Sequence, residues 1–66
     1  MTRDDAIKTM LALRENFAEN PVSWENPTLD MYLDAMASWL STNTECDEPP
    51  SWELFCLMLE AAKIYE

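Results

Sequence analysis

The chain has 66 residues, a formal net charge of -9 and a hydrophobic fraction of 48%. Area scaling gives a chain of this mass roughly 4,300 Å² of accessible surface once folded, which means one small domain with no room for a separate buried catalytic cavity. Only 4 Lys and Arg stand against 13 Asp and Glu, and there is no His and no Gly. Direct binding of a phosphate backbone is thereby disfavoured, and the usual general base, His-dependent triads, phosphate-cradling loops and dinucleotide fingerprints are excluded.

In chain order, the first helix is expected over about residues 3–19. Thr2 is placed to cap it and Asp5, three residues on, to return a bond to the Thr2 amide. Ile7, Met10, Leu11, Arg14, Phe17 and Ala18 recur at helical spacing, flanked by Ala6 and Leu13, while Lys8, Glu15, Asn16 and Glu19 form the polar side. Asn20-Pro21 ends the helix. The connector that follows, to Pro27, holds Trp24, read either as a plug over one end of a bundle or as an exposed anchor for a partner.

The second helix is expected over about 28–41, capped by Asn26 with Pro27 in the first turn or by Thr28 with Asp30 in the first turn. Leu29, Tyr32, Leu33, Met36, Ala37 and Leu40 form its inward row, with Met31, Ala35 and Trp39 beside it. Asp30 and Asp34 share a face, a spacing that suits a cation or a basic partner but supplies too few ligands for a metal site. The connector Ser41 to Pro50 is polar and acidic, with Glu45, Asp47 and Glu48. It lacks the glycine and the alternating ligands of a calcium loop.

The third helix is expected over about 52–65, capped by Ser51. Trp52, Phe55, Leu59 and Ala62, at offsets of three, four and three, stack on one face, and Leu54, Met58, Ala61 and Tyr65 form an adjacent row. So much apolar surface places this helix at the centre. The expected architecture is all-α, a compact three-helix bundle with a short first connector and a longer acidic second one. Its expected core is Ile7, Met10, Leu11, Phe17, Leu29, Leu33, Met36, Leu40, Phe55, Met58, Leu59 and Ala62. Cys46 and Cys56 fit no metal or redox spacing and are expected to be free. With no apolar signal core at the start and no long uncharged run, the expected location is cytoplasmic, without membrane insertion.

The run Trp24-Glu-Asn-Pro-Thr-Leu-Asp-Met-Tyr-Leu-Asp-Ala-Met-Ala-Ser-Trp-Leu40, followed by Pro50-Ser-Trp52 and the ending Ala61-Ala-Lys-Ile-Tyr-Glu66, resembles an uncharacterised family of short acidic bacterial proteins. That family's pattern is a Trp-x-Asn-x-Thr-Leu-x-x-Tyr-Leu-x-Ala helix and an Ala-Ala-Lys-x-Tyr-Glu terminus. The connector 41–50 departs from it, being shorter than the family's aromatic-containing one. The resemblance implies a folded protein and carries no activity.

No catalytic residue, cofactor or metal ligand is expected, and the chain does not read as an enzyme. The leading expectation is a small acidic protein-interaction module, an inhibitor or immunity-type binder of a basic protein. Its candidate partner-binding residues are Trp24, Trp39, Asp30, Asp34, Glu45, Asp47 and Glu48. The alternatives are a nucleic-acid-mimicking inhibitor of a DNA- or RNA-binding protein and a homodimer of structural role, the partner then being a second copy.

Overall fold

Capping chemistry starts each helix. The Thr2 amide donates to Asp5 Oδ2 at 2.8 Å, and the Thr2 hydroxyl donates to the same oxygen at 3.3 Å. The amide bond from Thr2 holds the Asp5 carboxyl below its ordinary range. Thr28 Oγ1 accepts from the Met31 amide at 3.4 Å, and Ser51 Oγ accepts from the Leu54 amide at 3.0 Å, each satisfying a first-turn donor that the helix itself leaves free. In this computed structural model, which describes residues 1–65, the helices are α1 (Arg3–Glu19), α2 (Leu29–Asn43) and α3 (Trp52–Ala62), with a 3-10 turn at Pro21–Ser23.

Helix ends follow from local bonding. Asn20 N–H donates to Asn16 O at 2.8 Å, and Pro21 then stops propagation. The α2 helix runs two residues beyond expectation because Asn43 Nδ2 donates to Trp39 O at 2.9 Å and the Thr44 hydroxyl to Leu40 O at 2.6 Å, so its last carbonyls are paired. This overturns the expected short first and longer second connector: residues 44–51 make a stretch no longer than residues 20–28. The α3 helix stops at Ala62, short of the expected 65, where Asn26 and Tyr32 supply side-chain donors to its last carbonyls. Ala61 O accepts from the Ile64 and Tyr65 amides at 3.1 and 2.9 Å. Ala62 O accepts from Asn26 Nδ2 at 2.9 Å, and Leu59 O from the Tyr32 hydroxyl at 2.7 Å. Three of the four carbonyls that a helix end leaves unpaired are thus accounted for.

The fold is an all-α three-helix bundle with α3 in the middle. Both α1 and α2 pack on α3, and among the described residues they do not pack on each other. The outline is flattened accordingly, 36 × 26 × 14 Å. Small residues mark the packed seams: Ala6 is 1% exposed, Ala62 is fully buried, and Ala35 is buried too. Without a bulky side chain at these positions, helix backbones can approach closely. Leu13, Cys56, Met58 and Leu59 complete the buried set.

This arrangement corrects half of the expected core. Met58, Leu59 and Ala62 are buried, and Met36, Leu40 and Phe55 are half-buried. Ile7, Met10, Leu11, Phe17, Leu29 and Leu33 are exposed. In α1 the seam is Ala6, Thr9, Leu13 and Asn16, at offsets of three, four and three. The expected row Ile7, Met10, Arg14 and Phe17 has the same spacing one residue further on, about 100° round the helix. Both rows are apolar enough to pack, and α3 takes the one with the small residue. The Thr9 hydroxyl meets Cys56 Sγ at 3.7 Å across this seam, and Cys56 is a free, buried thiol, whereas Cys46 is free and exposed.

Candidate functional site

Because α1 and α2 flank α3 without meeting, a groove remains between them. Its volume is about 390 Å³, and Met10, Leu13, Arg14 and Phe17 of α1 line one side. Leu29 and Tyr32 of α2 line the other, with Leu59 of α3 beneath and Trp24, Asn26, Pro27 and Thr28 of the first connector closing one end. A second pocket of about 340 Å³ is lined by Pro50, Ser51, Trp52 and Phe55. Trp52, Phe55, Leu59 and Ala62 form one row on α3, so both openings lie along the same line of that helix.

The aromatic end is built by interlocking contacts. Trp24 meets Phe17 edge-on, with ring centroids 5.1 Å apart, and Tyr32 at 5.5 Å in a tilted arrangement. These are distances at which aromatic pairs contribute about 0.5–1.5 kcal/mol beyond area burial. The indole N–H of Trp24 donates to Asn16 Oδ1 at 2.7 Å, which fixes the ring's rotation. Lys63 Nζ lies 6.0 Å from the Trp24 ring centroid.

Asn26 ties this connector to the end of α3. Its Nδ2 donates to Ala62 O at 2.9 Å and to Tyr65 O at 2.8 Å, and its backbone amide donates to Lys63 O at 3.2 Å. Expected as a cap for α2, Asn26 instead caps α3 from outside, and Thr28 caps α2. The stretches Trp24–Ala35 and Ala61–Tyr65, distant in sequence, are therefore one structural unit.

Tyr32 is the titratable group most coupled to this unit. Burial, with a smaller contribution from the Glu60 carboxylate, pushes its phenol above the ordinary value of 10.0. A raised folded pKa contributes stability that is fully present below the unfolded value and is lost as pH rises through the folded one. The melting temperature is therefore expected to fall as the phenol ionises above about pH 10, with a smaller fall in Tyr32→Phe. Thermal melts of both proteins across that range check this, and identical alkaline profiles would remove Tyr32 from the linkage.

The candidate partner-binding residues occupy separate places. Trp24 is half-buried and forms part of the groove, and Trp39 is half-buried further along α2. Asp30 and Asp34 are exposed near the start of α2, and Asp30 is held below the ordinary carboxylate range by the Thr28 hydroxyl, 2.6 Å away, and by the Met31 amide. Glu45, Asp47 and Glu48 are exposed in the connector after α2, where Glu48 Oε1 accepts from the Glu45 amide at 3.2 Å. The two acidic groups sit at opposite ends of a helix about 22 Å long. Among the described residues no group of three or more His, Cys, Asp or Glu is arranged to hold a metal ion, and no helix is long and apolar enough to cross a membrane.

Most of the groove was not singled out from sequence. Met10, Phe17 and Leu29 were expected in the core and Tyr32 in the inward row of its helix, and their patterning is equally that of a core. The available signal was the width of the α1 apolar arc, from Leu13 through Met10 to Leu11, which exceeds what one helix neighbour covers.

No curated protein and no solved structure matches the chain. One family does match, over residues 2–66: a family of unknown function designated DUF7660. With its full length so nearly covered, the chain belongs to that family.

Proposed function

We propose that this protein is an interaction module whose groove between α1 and α2 takes an amphipathic helix from a basic protein. The observation that carries the reading is the groove itself, an open apolar trough of about 390 Å³ between two helices of a chain that is otherwise strongly acidic. Helix-in-groove recognition works by seating apolar side chains at i, i+3, i+4 and i+7 along such a trough. Leu29, 74% exposed, and Phe17 offer apolar area that the protein's own fold leaves in water. Trp24 and Tyr32 give the trough a rigid aromatic end of the kind that dominates binding energy at interfaces. The net charge of -9 attracts a partner with Lys and Arg on the face turned away from the groove, and speeds its encounter. An inhibitor or immunity-type role is the form of this reading that suits so small a chain.

Acids at both ends of α2, in two groups rather than in a continuous row, give nucleic-acid mimicry less support. The resemblance of Trp24–Ala35 and Ala61–Tyr65 to a short acidic bacterial family fits the same proposal, since those residues build the groove's closed end.

A labelled synthetic helix with Leu at i, i+3, i+4 and i+7 and Lys elsewhere tests the reading by fluorescence anisotropy. Leu29→Glu is expected to weaken its binding by at least about tenfold, equivalent to 1.4 kcal/mol. The variant's melting temperature should hardly move, because the side chain it replaces is exposed. Equal affinity for the variant and the parent protein would remove the groove from recognition.

A further inference from the structure

We infer that the outward face of α1 is a self-association surface, and that its partner is a second copy of this chain in a two-fold, antiparallel α1–α1 pairing. The surface adjoins the groove, with which it shares Met10 and Arg14. Met10 and Phe17 line the groove on one side of α1, whereas Ile7, Leu11 and Ala18 lie round the helix on the side away from it. Ile7 and Leu11 are 41% and 46% exposed, and with the outer part of Met10 they make a continuous apolar strip that no element of the fold covers.

Charge selects the occupant. Three of the chain's cations, Arg3, Lys8 and Arg14, lie in α1 with four acids, Asp4, Asp5, Glu15 and Glu19. The remainder of the chain has Lys63 as its one cation against nine acids. So α1 carries a net -1 and residues 20–66 a net -8. Like-charge repulsion of a second copy is therefore least at this face. A basic partner, by the same reasoning, gains least at α1.

Geometry agrees with this choice. A two-fold axis passing between Met10 and Leu11 sets Ile7 opposite Arg14 of the second copy. Arg14 of each copy then falls within one turn of Asp4 of the other, and the two helix dipoles run antiparallel. The ion pairs that Arg3 and Arg14 make within α1, with Asp4 and Glu15 at 3.2 and 3.1 Å, are exposed and therefore readily exchanged.

Sedimentation equilibrium of the full chain over a concentration series, at low and high salt, tests the pairing. The expected result is a monomer–dimer equilibrium that strengthens with salt, as screening relieves the repulsion between the two acidic bodies. Leu11→Glu and Ile7→Lys are expected to reduce dimerisation by about tenfold or more while keeping the parent circular dichroism spectrum. Leu29→Glu should leave the dimer intact and lose only the peptide, so failure here is separable from failure of the groove. A single monomeric mass at every concentration up to about 1 mM overturns the inference. So does a dimer that both α1 variants leave unchanged.

Discussion

Replacing Leu59 by Ala is expected to cost about 2–5 kcal/mol, the largest single-site loss in this protein. Leu59 is buried in α3, the helix that both others pack on, and it forms the floor beneath the groove. Removing three methyl or methylene groups there forfeits their transfer energy and leaves a cavity. With α1 and α2 each held on α3 alone, no third contact is available to let the walls close over it. A chain of this length has total stability of about 3–10 kcal/mol, so the variant should be largely unfolded at modest denaturant or melt at least about 10 °C lower. Leu33→Ala is the informative control. Leu33 is 52% exposed, and its loss should cost less than about 1 kcal/mol. Denaturant unfolding of both variants measures the contrast, and equal losses would mean that α3 is not the shared partner of the other two helices.

Asn26→Asp should have the second-largest effect, with Asn26→Ala somewhat behind. The Asn26 amide donates two bonds to carbonyls at the end of α3, one of them from Ala62, a residue with no exposed surface. Truncation to Ala leaves both acceptors short of a partner in a partly buried place, a loss of about 1–3 kcal/mol. Asp does worse for a reason of sign: it replaces two donors with a carboxylate that faces carbonyl oxygens at the negative end of the helix dipole. Lys63, whose carbonyl accepts from the Asn26 backbone amide, brings a positive charge to this end of the bundle that offsets part of the loss. Thermal melting of the two variants orders them. If Asp proved as stable as Asn, the bonds from Asn26 would be incidental to holding the connector on α3.

The helices themselves were legible because their signals are local. Thr2 with Asp5, Thr28 and Ser51 announce starts through donors and acceptors three residues apart, and Asn20-Pro21 announces a stop. The centrality of α3 was also legible, since its rows Trp52–Ala62 and Leu54–Tyr65 leave too little polar surface for an outer helix. Which face α1 turns inward was not. The rows Ala6-Thr9-Leu13-Asn16 and Ile7-Met10-Arg14-Phe17 share one spacing, and only the close approach permitted by Ala6 separates them. The bulkier row was expected inside because burying it removes more apolar area from water, and the same reasoning put Leu29 and Leu33 inside. The role of Asn26 was hidden for a different reason. A side chain that bonds across 36 residues to Ala62 has no signature in its own neighbourhood, where an Asn before Pro reads as an ordinary cap.

The candidate site divides along the same line. Charge is additive, so the acidic surface and the near-neutral α1 follow from counting. The groove depends on a gap between two helices, and a gap is a tertiary property. Trp24 stands between the two cases: its setting in a connector marked it as either plug or anchor, and the structure makes it a half-buried wall whose indole is bonded to Asn16.

The most direct measurement is an NMR titration of isotopically labelled protein with the Leu/Lys amphipathic helix, following backbone amides and the Trp24 indole N–H together. Occupation of the groove predicts concerted shifts at Leu13, Phe17, Trp24, Leu29, Tyr32 and Leu59, with little change at Glu45, Asp47 and Glu48. Shifts confined to those acids, with the groove residues unmoved, would contradict it and assign the peptide's attraction to charge alone.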